Sequence, residues 1–208
     1  MPLYKTIHHQ KSTTIYVWHI TESFEELNTI PLTVRSLERV VTMKSELHQK
    51  GFLSIRHLLK LAGYTDDDLY YNGNGKPHLT DGKHISITHS FTFSAIIISD
   101  DEVGIDIEMN REKIKMIAHK FVETENIFLQ NENLVEQLTI IWGAKESLYK
   151  IYPHGGLSFK KHIFVQPFQL EDGTTTGAIK TYDWDKKYTI NFEQFDDFTL
   201  VYAMPFTD

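Results

Sequence analysis

Cysteine is absent from the 208 residues of this sequence. A disulfide framework, a thiol nucleophile and a zinc-thiolate site are therefore excluded. The absence fits a reducing compartment, so we expect a cytoplasmic protein. Long apolar runs are also missing, because segments such as residues 95–98 are of strand size. A membrane span requires roughly 18 apolar residues, so we expect no membrane segment.

Positive charge is scarcer than negative charge: 21 lysines and arginines face 28 acidic residues, which gives a net charge of −7. This balance argues against general nucleic-acid binding, and an anionic ligand would need a local basic patch. Between Arg35 and Lys60, six basic residues stand against Glu38 and Glu46. A cationic helix is often only a solvated face, so this segment is either that or a phosphate site.

Hydrophobic periodicity predicts an α+β fold. In the first half it predicts a strand, a short capped helix, two helices with a break near Lys50-Gly51, and a hairpin that turns at residues 88–90. These elements fall at residues 13–20, 21–27, 36–62, 84–88 and 91–99. The polar residues 100–102 interrupt the pattern, and we take them as the boundary between two halves.

The second half repeats the same order of a strand, helices and antiparallel strands. Its strands are predicted at residues 103–108, 162–168, 177–182, 188–192 and 199–204, and its helices at 110–121, 123–130 and 134–152. The pattern therefore predicts two similar lobes, a pseudo-dimer, each with helices packed on a small, mostly antiparallel sheet. The lobes would span residues 1–102 and 103–208.

Two carboxylates project from one face of the strand at residues 103–108. Asp106 and Glu108 alternate with isoleucines, and a strand places them about 6.6 Å apart along the chain. At an effective dielectric near 20 their repulsion is roughly 2–3 kcal/mol. Taken alone, this alternation is typical of the solvated face of an antiparallel sheet, so a second observation is needed to indicate a site.

That observation is the segment Trp142–Lys150, about forty residues further on, in which Glu146 and Lys150 are four residues apart. Residues at this spacing share one face of a helix. Three carboxylates beside a lysine form the oxygen-rich environment that suits Mg²⁺, which also binds substrate phosphates. The combination favours a magnesium site built from Asp106, Glu108 and Glu146.

These two segments resemble the signature of the 4′-phosphopantetheinyl transferases, (V/I)-G-(I/V)-D followed by (F/W)-(S/T/C)-x-K-E-(A/S)-x-x-K. The resemblance covers nearly the full length of the longer, two-lobed (Sfp-type) class. Three further segments are similar to motifs of that class, namely Gly75-Lys76-Pro77 to G-K-P, residues 87–90 to I-S-H-S, and residues 55–59 to the Arg-x-Leu-Leu helix.

The resemblance implies an enzyme that moves the phosphopantetheine arm of coenzyme A onto a serine of an apo acyl or peptidyl carrier protein. It further implies that Mg²⁺ is required and that 3′,5′-ADP is released. The metal ligands would be Asp106, Glu108 and Glu146, and the catalytic residues Glu146, Lys150 and His89. Coenzyme A would be bound by Arg56, Lys76, Thr88, His89, Ser90, Lys145 and Lys150.

Two positions depart from the family pattern. Thr88 replaces the commoner serine and retains the hydroxyl. Gly143 stands where Ser, Thr or Cys is usual. The glycine removes a hydroxyl near Glu146, and it could also let a strand approach the helix more closely, so the sequence leaves both explanations open.

Two other classes of function remain open. A different Mg²⁺-dependent phosphotransferase or hydrolase would also use three carboxylates. A non-catalytic protein of the same fold could bind coenzyme A or a carrier, although such a site would be expected to lose one of its acids or lysines. The sequence therefore favours the transferase.

The helix predicted at residues 110–121 carries a candidate docking surface for the carrier. Ile114, Ile117, Ala118 and Phe121 follow the spacing of a core-facing stripe. Met116 lies opposite with Lys113 and Lys120 beside it. This face is either an ordinary solvated surface with one stray methionine or a surface that an acidic carrier helix would complement. A chain with two lobes can build one site internally, so we expect a monomer.

Overall fold

Antiparallel sheets of four, five and two strands organise the chain in the computed structural model, which describes residues 3–9 and 12–207. The chain divides into two units, one ending at Asp101 and the other beginning at Glu102. This division falls within the polar segment 100–102. Each unit combines helices with an antiparallel sheet, so the predicted α+β class is confirmed. The similarity of the two units, and the assignment of a ligand to each, remain predictions.

The first unit contains a four-stranded sheet in the order β1-β2-β6-β5. Phenylalanine, leucine and isoleucine side chains of α3 pack against isoleucines of this sheet. The elements are β1 (Leu3–His9), β2 (Thr13–His19), α1 (Phe24–Leu27), α2 (Val34–Thr42), α3 (Glu46–Leu61), β3 (Leu69–Tyr71), β4 (Pro77–Leu79), β5 (His84–Ser90) and β6 (Phe93–Ser99).

A capping box starts the short helix α1, as its sequence predicts. The Ser23 hydroxyl accepts a hydrogen bond from the Glu26 backbone N–H at 3.2 Å. In return, the Ser23 N–H donates to the Glu26 carboxylate at 2.8 Å. The predicted strand at residues 13–20 is also present as β2.

The break between the two basic helices lies at residues 43–45, so the predicted break near Lys50-Gly51 is wrong. The side-chain amide of Gln49 donates to the carbonyls of Val40 and Met43, which satisfies the last turn of α2. The helix α3 then runs through Gly51 without interruption. Glycine is found at this position in a helix because the imidazole of His89 lies against it.

The hairpin turn also lies later than predicted. β5 continues to Ser90, which pairs with Phe93 of β6. The chain reverses at Phe91, whose φ of 50° is unusual for a residue other than glycine. Thr88, His89 and Ser90 are therefore strand residues.

The second unit contains a five-stranded sheet in the order β7-β11-β10-β9-β8. The long helix α5 packs on this sheet and supplies most of the helical side of the core. The elements are β7 (Gly104–Met109), α4 (Lys113–Ile117), α5 (Leu134–Ile151), β8 (Ile163–Val165), β9 (Thr174–Lys180), β10 (Asp185–Phe195) and β11 (Phe198–Pro205).

The segment between β7 and α5 is less helical than predicted. Instead of helices at residues 110–121 and 123–130, it has the short α4 and the 3₁₀ turns Ala118–Lys120 and Thr124–Ile127. The fully buried Glu125 accepts hydrogen bonds from the backbone N–H groups of Glu123 and Val165. These contacts hold the segment in turns where local periodicity alone would favour helix.

Among the described residues, no helix has the length and apolar character that crossing a membrane requires. The cytoplasmic location expected from the sequence remains a prediction.

Candidate active site

The strand β7 places its isoleucines in the core and its carboxylates on the opposite side. Ile105 and Ile107 are 0% and 1% exposed. Asp106 is also buried, whereas Glu108 is half-buried towards the end of the strand. In the register with β11, Asp106 is opposite Val201 and Glu108 is opposite Thr199.

The helix α5 lies unusually close to the start of β7. A Cβ atom on Gly104 would lie 1.9 Å from the carbonyl oxygen of Ser147, so only glycine fits there. The Ser147 hydroxyl donates to the Val201 carbonyl at 3.2 Å, which ties α5 to β11 as well. The helix is therefore held with Gly143, Ser147 and Lys150 towards these two strands.

This packing brings Lys150 to Asp106. The Lys150 Nζ lies 2.8 Å from the Asp106 Oδ1 and 2.7 Å from the carbonyl oxygen of Ile105. The lysine remains 27% exposed at its side chain, while the aspartate side chain is 8% exposed. Forty-four positions separate the two residues, so spacing in the sequence alone does not predict their contact.

Glu146 lies in the electrostatic field of the same group. The pKa of Glu146 is raised to about 7, mainly by burial and also by the negative charges of Asp106 and Glu108, while Lys150 opposes the shift. Asp106, Glu108, Glu146 and Lys150 therefore act on one another, as their predicted grouping requires. A carboxyl that titrates near pH 7 can accept and release a proton under physiological conditions.

The donor chemistry of this group suits a hard divalent cation. In the described part of the chain, however, no three acidic or histidine side chains converge as a ready-made metal site. The ammonium of Lys150 provides the positive charge beside Asp106 in this structure. The residues thus supply the right ligand atoms, and binding a metal would require their side chains to rearrange.

Gly143 has a packing explanation. A Cβ atom there would lie 2.7 Å from the Val201 Cγ2 and 3.8 Å from the Asp106 Oδ2. The valine side chain therefore fills the space that a larger residue at position 143 would need. Of the two explanations left open by the sequence, close approach of the strand is the one that this geometry supports.

Lys145 points away from this group and into the core. Its side chain and that of Glu125 are both 0% exposed and form an ion pair at 2.7 Å. The Lys145 Nζ also donates to the carbonyls of Phe121 and Phe159 at 2.7 and 2.9 Å. An ammonium has three N–H donors, so none remains for coenzyme A, and the predicted contact does not follow from this placement.

Arg56 is likewise buried, in the first unit. Its Nε donates to the Asp66 Oδ1 at 2.9 Å, and its guanidinium lies 3.4 Å from the Phe52 ring centroid. Burial alone would raise the pKa of Asp66, but hydrogen bonds from Thr33 and Ser36, with the charge of Arg56, hold that pKa below its usual value. Arg56 thus supports the fold around Asp66.

A cavity of about 200 Å³ opens beside this ion pair. Arg35 and Arg39 also line it, and the Arg39 guanidinium lies 5.6 Å from the Tyr71 ring centroid. Part of the basic segment recognised in the sequence is therefore gathered at one cavity. In the sequence, only the excess of basic residues in this segment indicates Arg35 and Arg39.

Lys76 is presented by a turn that Asn72 builds. The Asn72 side-chain oxygen accepts hydrogen bonds from the backbone N–H groups of Asn74 and Lys76, both at 3.0 Å. Gly75 takes a φ of 78°, in the region that favours glycine. The turn leaves the Lys76 side chain half-buried at its end, just before β4 begins at Pro77.

Thr88, His89 and Ser90 do not face the same way. Successive residues of a strand alternate between faces, so the hydroxyls of Thr88 and Ser90 project opposite to the His89 imidazole. Thr88 is buried at 7% exposure, whereas His89 is exposed. A ligand that contacts all three would have to reach around the end of β5.

Comparison with known proteins adds two findings. Residues 102–203 match the model of the 4′-phosphopantetheinyl transferase superfamily. The chain is also similar to the 4′-phosphopantetheinyl transferase gsp of Aneurinibacillus migulanus, with 31% identity over 144 residues. That alignment covers 66% of this chain and 58% of the relative, so the chain spans under two thirds of the relative's length.

Proposed function

We propose that this chain, whose residues 102–203 match the model of the 4′-phosphopantetheinyl transferase superfamily, transfers the phosphopantetheine arm of coenzyme A to a serine of an apo carrier protein. The observation that carries the proposal is the group formed by Asp106, Glu146 and Lys150 where α5 packs on β7. The group combines the buried Asp106, the Lys150 ammonium 2.8 Å from it, and the Glu146 carboxyl, whose pKa is about 7.

In the proposed reaction, the serine oxygen attacks the phosphorus that bears the pantetheine arm. A new phosphorus–oxygen bond forms, the bond to the bridging pyrophosphate oxygen breaks, and 3′,5′-ADP leaves with the bonding electrons. The serine proton passes to Glu146, directly or through water. Without a bound metal this carboxyl has a pKa of about 7, which suits a general base at physiological pH. The exposed part of Lys150 is suited to stabilise the negative charge on the departing phosphate.

The metal belongs to this proposal as well. Asp106, Glu108 and Glu146 would hold Mg²⁺, which, when bound, neutralises charge on the phosphates. The mutual repulsion that raises the pKa of Glu146 supports this assignment, because a divalent cation would relieve it.

Coenzyme A binding is proposed for the first unit. Lys76, at the end of its turn, and the exposed His89 are the predicted phosphate ligands that remain accessible. Thr88 and Ser90 are included as coenzyme A ligands because of the family resemblance. Arg56 would contribute to coenzyme A binding at the cavity that it lines with Arg35 and Arg39.

The direct test is incubation of the protein with coenzyme A, Mg²⁺ and a set of apo acyl and peptidyl carriers. We expect an accepted carrier to gain the mass of one phosphopantetheine arm, with one 3′,5′-ADP released per transfer. No mass gain on any carrier, together with tight binding of another nucleotide, would instead favour a different phosphotransferase. Binding of coenzyme A or of a carrier without transfer would indicate a non-catalytic member of the fold.

The carrier is proposed to dock on the exposed face of α4. Ile114, Ile117 and Ala118 pack against the core, and Phe121 is fully buried. Met116 is 73% exposed on the other side of the helix, and Lys113 and Lys120 are exposed as well. Lys113 and Met116 lie in α4 and Lys120 in the 3₁₀ turn that follows it. An acidic helix with apolar residues would complement this exposed surface.

Reversal of both charges, Lys113→Glu with Lys120→Glu, should raise the KM for the carrier roughly tenfold or more at low salt, with less effect at high salt. The affinity for coenzyme A should stay nearly unchanged. Lys180→Glu with Lys187→Glu is the matched control, because it makes the same charge change at two exposed positions of the same unit. Equal effects of both pairs would point to net charge and contradict docking on α4.

One site per chain and a functional monomer complete the proposal. Sedimentation that shows an obligate trimer, with activity lost on dilution, would contradict it.

A further inference from the structure

Gly51 occupies an unfavourable place for a glycine. It lies in the interior of the sixteen-residue helix α3, where glycine costs helix stability relative to alanine. Its φ is not among the positive values found in this structure, so the backbone does not require glycine. The reason for glycine must therefore be the space around the position.

That space is occupied by the imidazole of His89. A Cβ atom on Gly51 would lie 3.0 Å from both the Cγ and the Nδ1 of His89 and 3.4 Å from its Cε1. Three ring atoms at such distances mean that the ring rests against the helix backbone. A methyl group at position 51 would require the ring to move by a few tenths of an ångström.

The helix cannot easily retreat to make room. The hydroxyls of Ser54 and Ser94 form a buried hydrogen bond of 2.7 Å between α3 and β6. The Ser54 hydroxyl also donates to the Gly51 carbonyl at 2.8 Å, so Ser94 supplies the proton between the two serines. Ser94 is the residue paired with His89 across the hairpin. The distance from α3 to the strand that carries His89 is therefore fixed beside Gly51.

We propose that Gly51 is a positioning residue for coenzyme A binding, because it lets the His89 imidazole lie against α3 and so sets the direction of its nitrogens. The inference rests on the proposed function, in which His89 contacts a phosphate of coenzyme A. His48, whose ring centroid lies 6.2 Å from that of His89, stands near the same ring. The helix backbone and this second ring define where the imidazole can be.

The test is the substitution Gly51→Ala, read in two ways. The imidazole proton signals of His89 in the protein without ligand should shift, because the added methyl displaces the ring. The Kd for coenzyme A, measured by calorimetry, should rise about tenfold, while the melting temperature stays equal or increases, since alanine favours helix. A loss of affinity that merely followed a loss of stability would overturn the proposal.

The variant His89→Ala provides the background that separates the explanations. With the ring removed, Gly51→Ala should leave the Kd for coenzyme A unchanged and should raise the melting temperature. An equal loss of affinity in both backgrounds would overturn the proposal, because the glycine would then act through another group.

Failure of this inference and failure of the proposed function give different results. If His89→Ala binds coenzyme A as well as the unaltered chain, the proposal for Gly51 is overturned. Mass gain on a carrier would in that case still establish the transferase. If the unaltered chain neither binds coenzyme A nor modifies a carrier, the proposed function itself fails, whatever the His89 signals show.

Discussion

Asp106→Asn should reduce carrier modification by roughly 10²–10³-fold or more while the protein stays folded. A bound divalent metal stabilises charge in the transition state by several kcal/mol, and about 1.4 kcal/mol corresponds to a tenfold change in rate. Asparagine keeps the volume of the buried side chain, so the packing of β7 on α5 should survive. Asp106→Ala should give the same loss. The mass gain of an apo carrier per unit time measures both.

A second readout does not depend on activity. Removing the negative charge of Asp106 should lower the pKa of Glu146 from about 7, since that charge contributes to raising it. Carboxyl carbon signals followed by NMR during a pH titration would report the change. Mg²⁺ and coenzyme A together should raise the melting temperature of the unaltered chain. The increase should be smaller for Asp106→Asn.

Asp185→Asn is the matched control, because it removes one exposed carboxylate from β10 of the same sheet. Near-normal Mg²⁺-dependent transfer by Asp106→Asn would remove this aspartate from the site. A pKa of Glu146 that did not move would show that the two carboxyls do not interact.

The raised pKa of Glu146 also has a consequence for stability. In the unfolded chain this carboxyl titrates near its ordinary value of 4.5, so the folded state binds the proton more tightly. By linkage, the metal-free protein should lose stability as the pH rises from the ordinary value through about 7. Part of the Glu146 side chain is exposed, and screening by solvent reduces the size of this loss.

Patterns that depend on local contacts were predictable from the sequence. The capping box at Ser23, the turn that presents Lys76 and the helix α5 each follow from residues within a few positions of one another. The grouping of Asp106 with Glu146 and Lys150 came from a family resemblance, since forty residues separate the strand from the helix. Local periodicity could not have supplied that contact.

Features set by tertiary packing could not be predicted. Glycine inside a helix pattern suggests a break, but Gly51 continues α3 because the space beside it holds His89. Lys145 stands next to Glu146 in the sequence, yet consecutive helix residues point about 100° apart, so one faces the site and the other the core. The partner of Lys145, Glu125, falls in the helix predicted at residues 123–130. Only the fold shows that it is buried.

The Lys145–Glu125 ion pair is expected to have the largest effect on stability. Replacing Lys145 with methionine would leave the Glu125 carboxylate buried without its cation and would remove two hydrogen bonds to carbonyls. Breaking a buried pair from one side costs about 3–5 kcal/mol. At about 2–4 °C per kcal/mol for a chain of this size, Lys145→Met should lower the melting temperature by roughly 6–20 °C.

The chain offers a control with nearly the same chemistry. Lys160 and Glu123 also form an ion pair at 2.7 Å, but their side chains are 36% and 57% exposed. Exposed pairs contribute about 0–1 kcal/mol, so Lys160→Met should change the melting temperature by only a few degrees. The two variants remove the same group from pairs of equal length, and burial is what distinguishes them.

The double variant Lys145→Met with Glu125→Leu should recover much of the lost stability, because apolar residues that replace both partners leave no buried charge. Urea unfolding of the unaltered chain, Lys145→Met, Lys160→Met and the double variant would measure the free energy of unfolding of each. A loss of coenzyme A affinity in Lys145→Met without any loss of stability would contradict this structural role. Burial already lowers the pKa of Lys145, although the charge of Glu125 opposes that shift. Without Glu125, the lysine should therefore lose its proton more readily. By linkage, the folded state of Glu125→Gln then binds this proton less tightly than the unfolded state, so the variant should gain stability as the pH rises towards 10.5, the ordinary pKa of lysine.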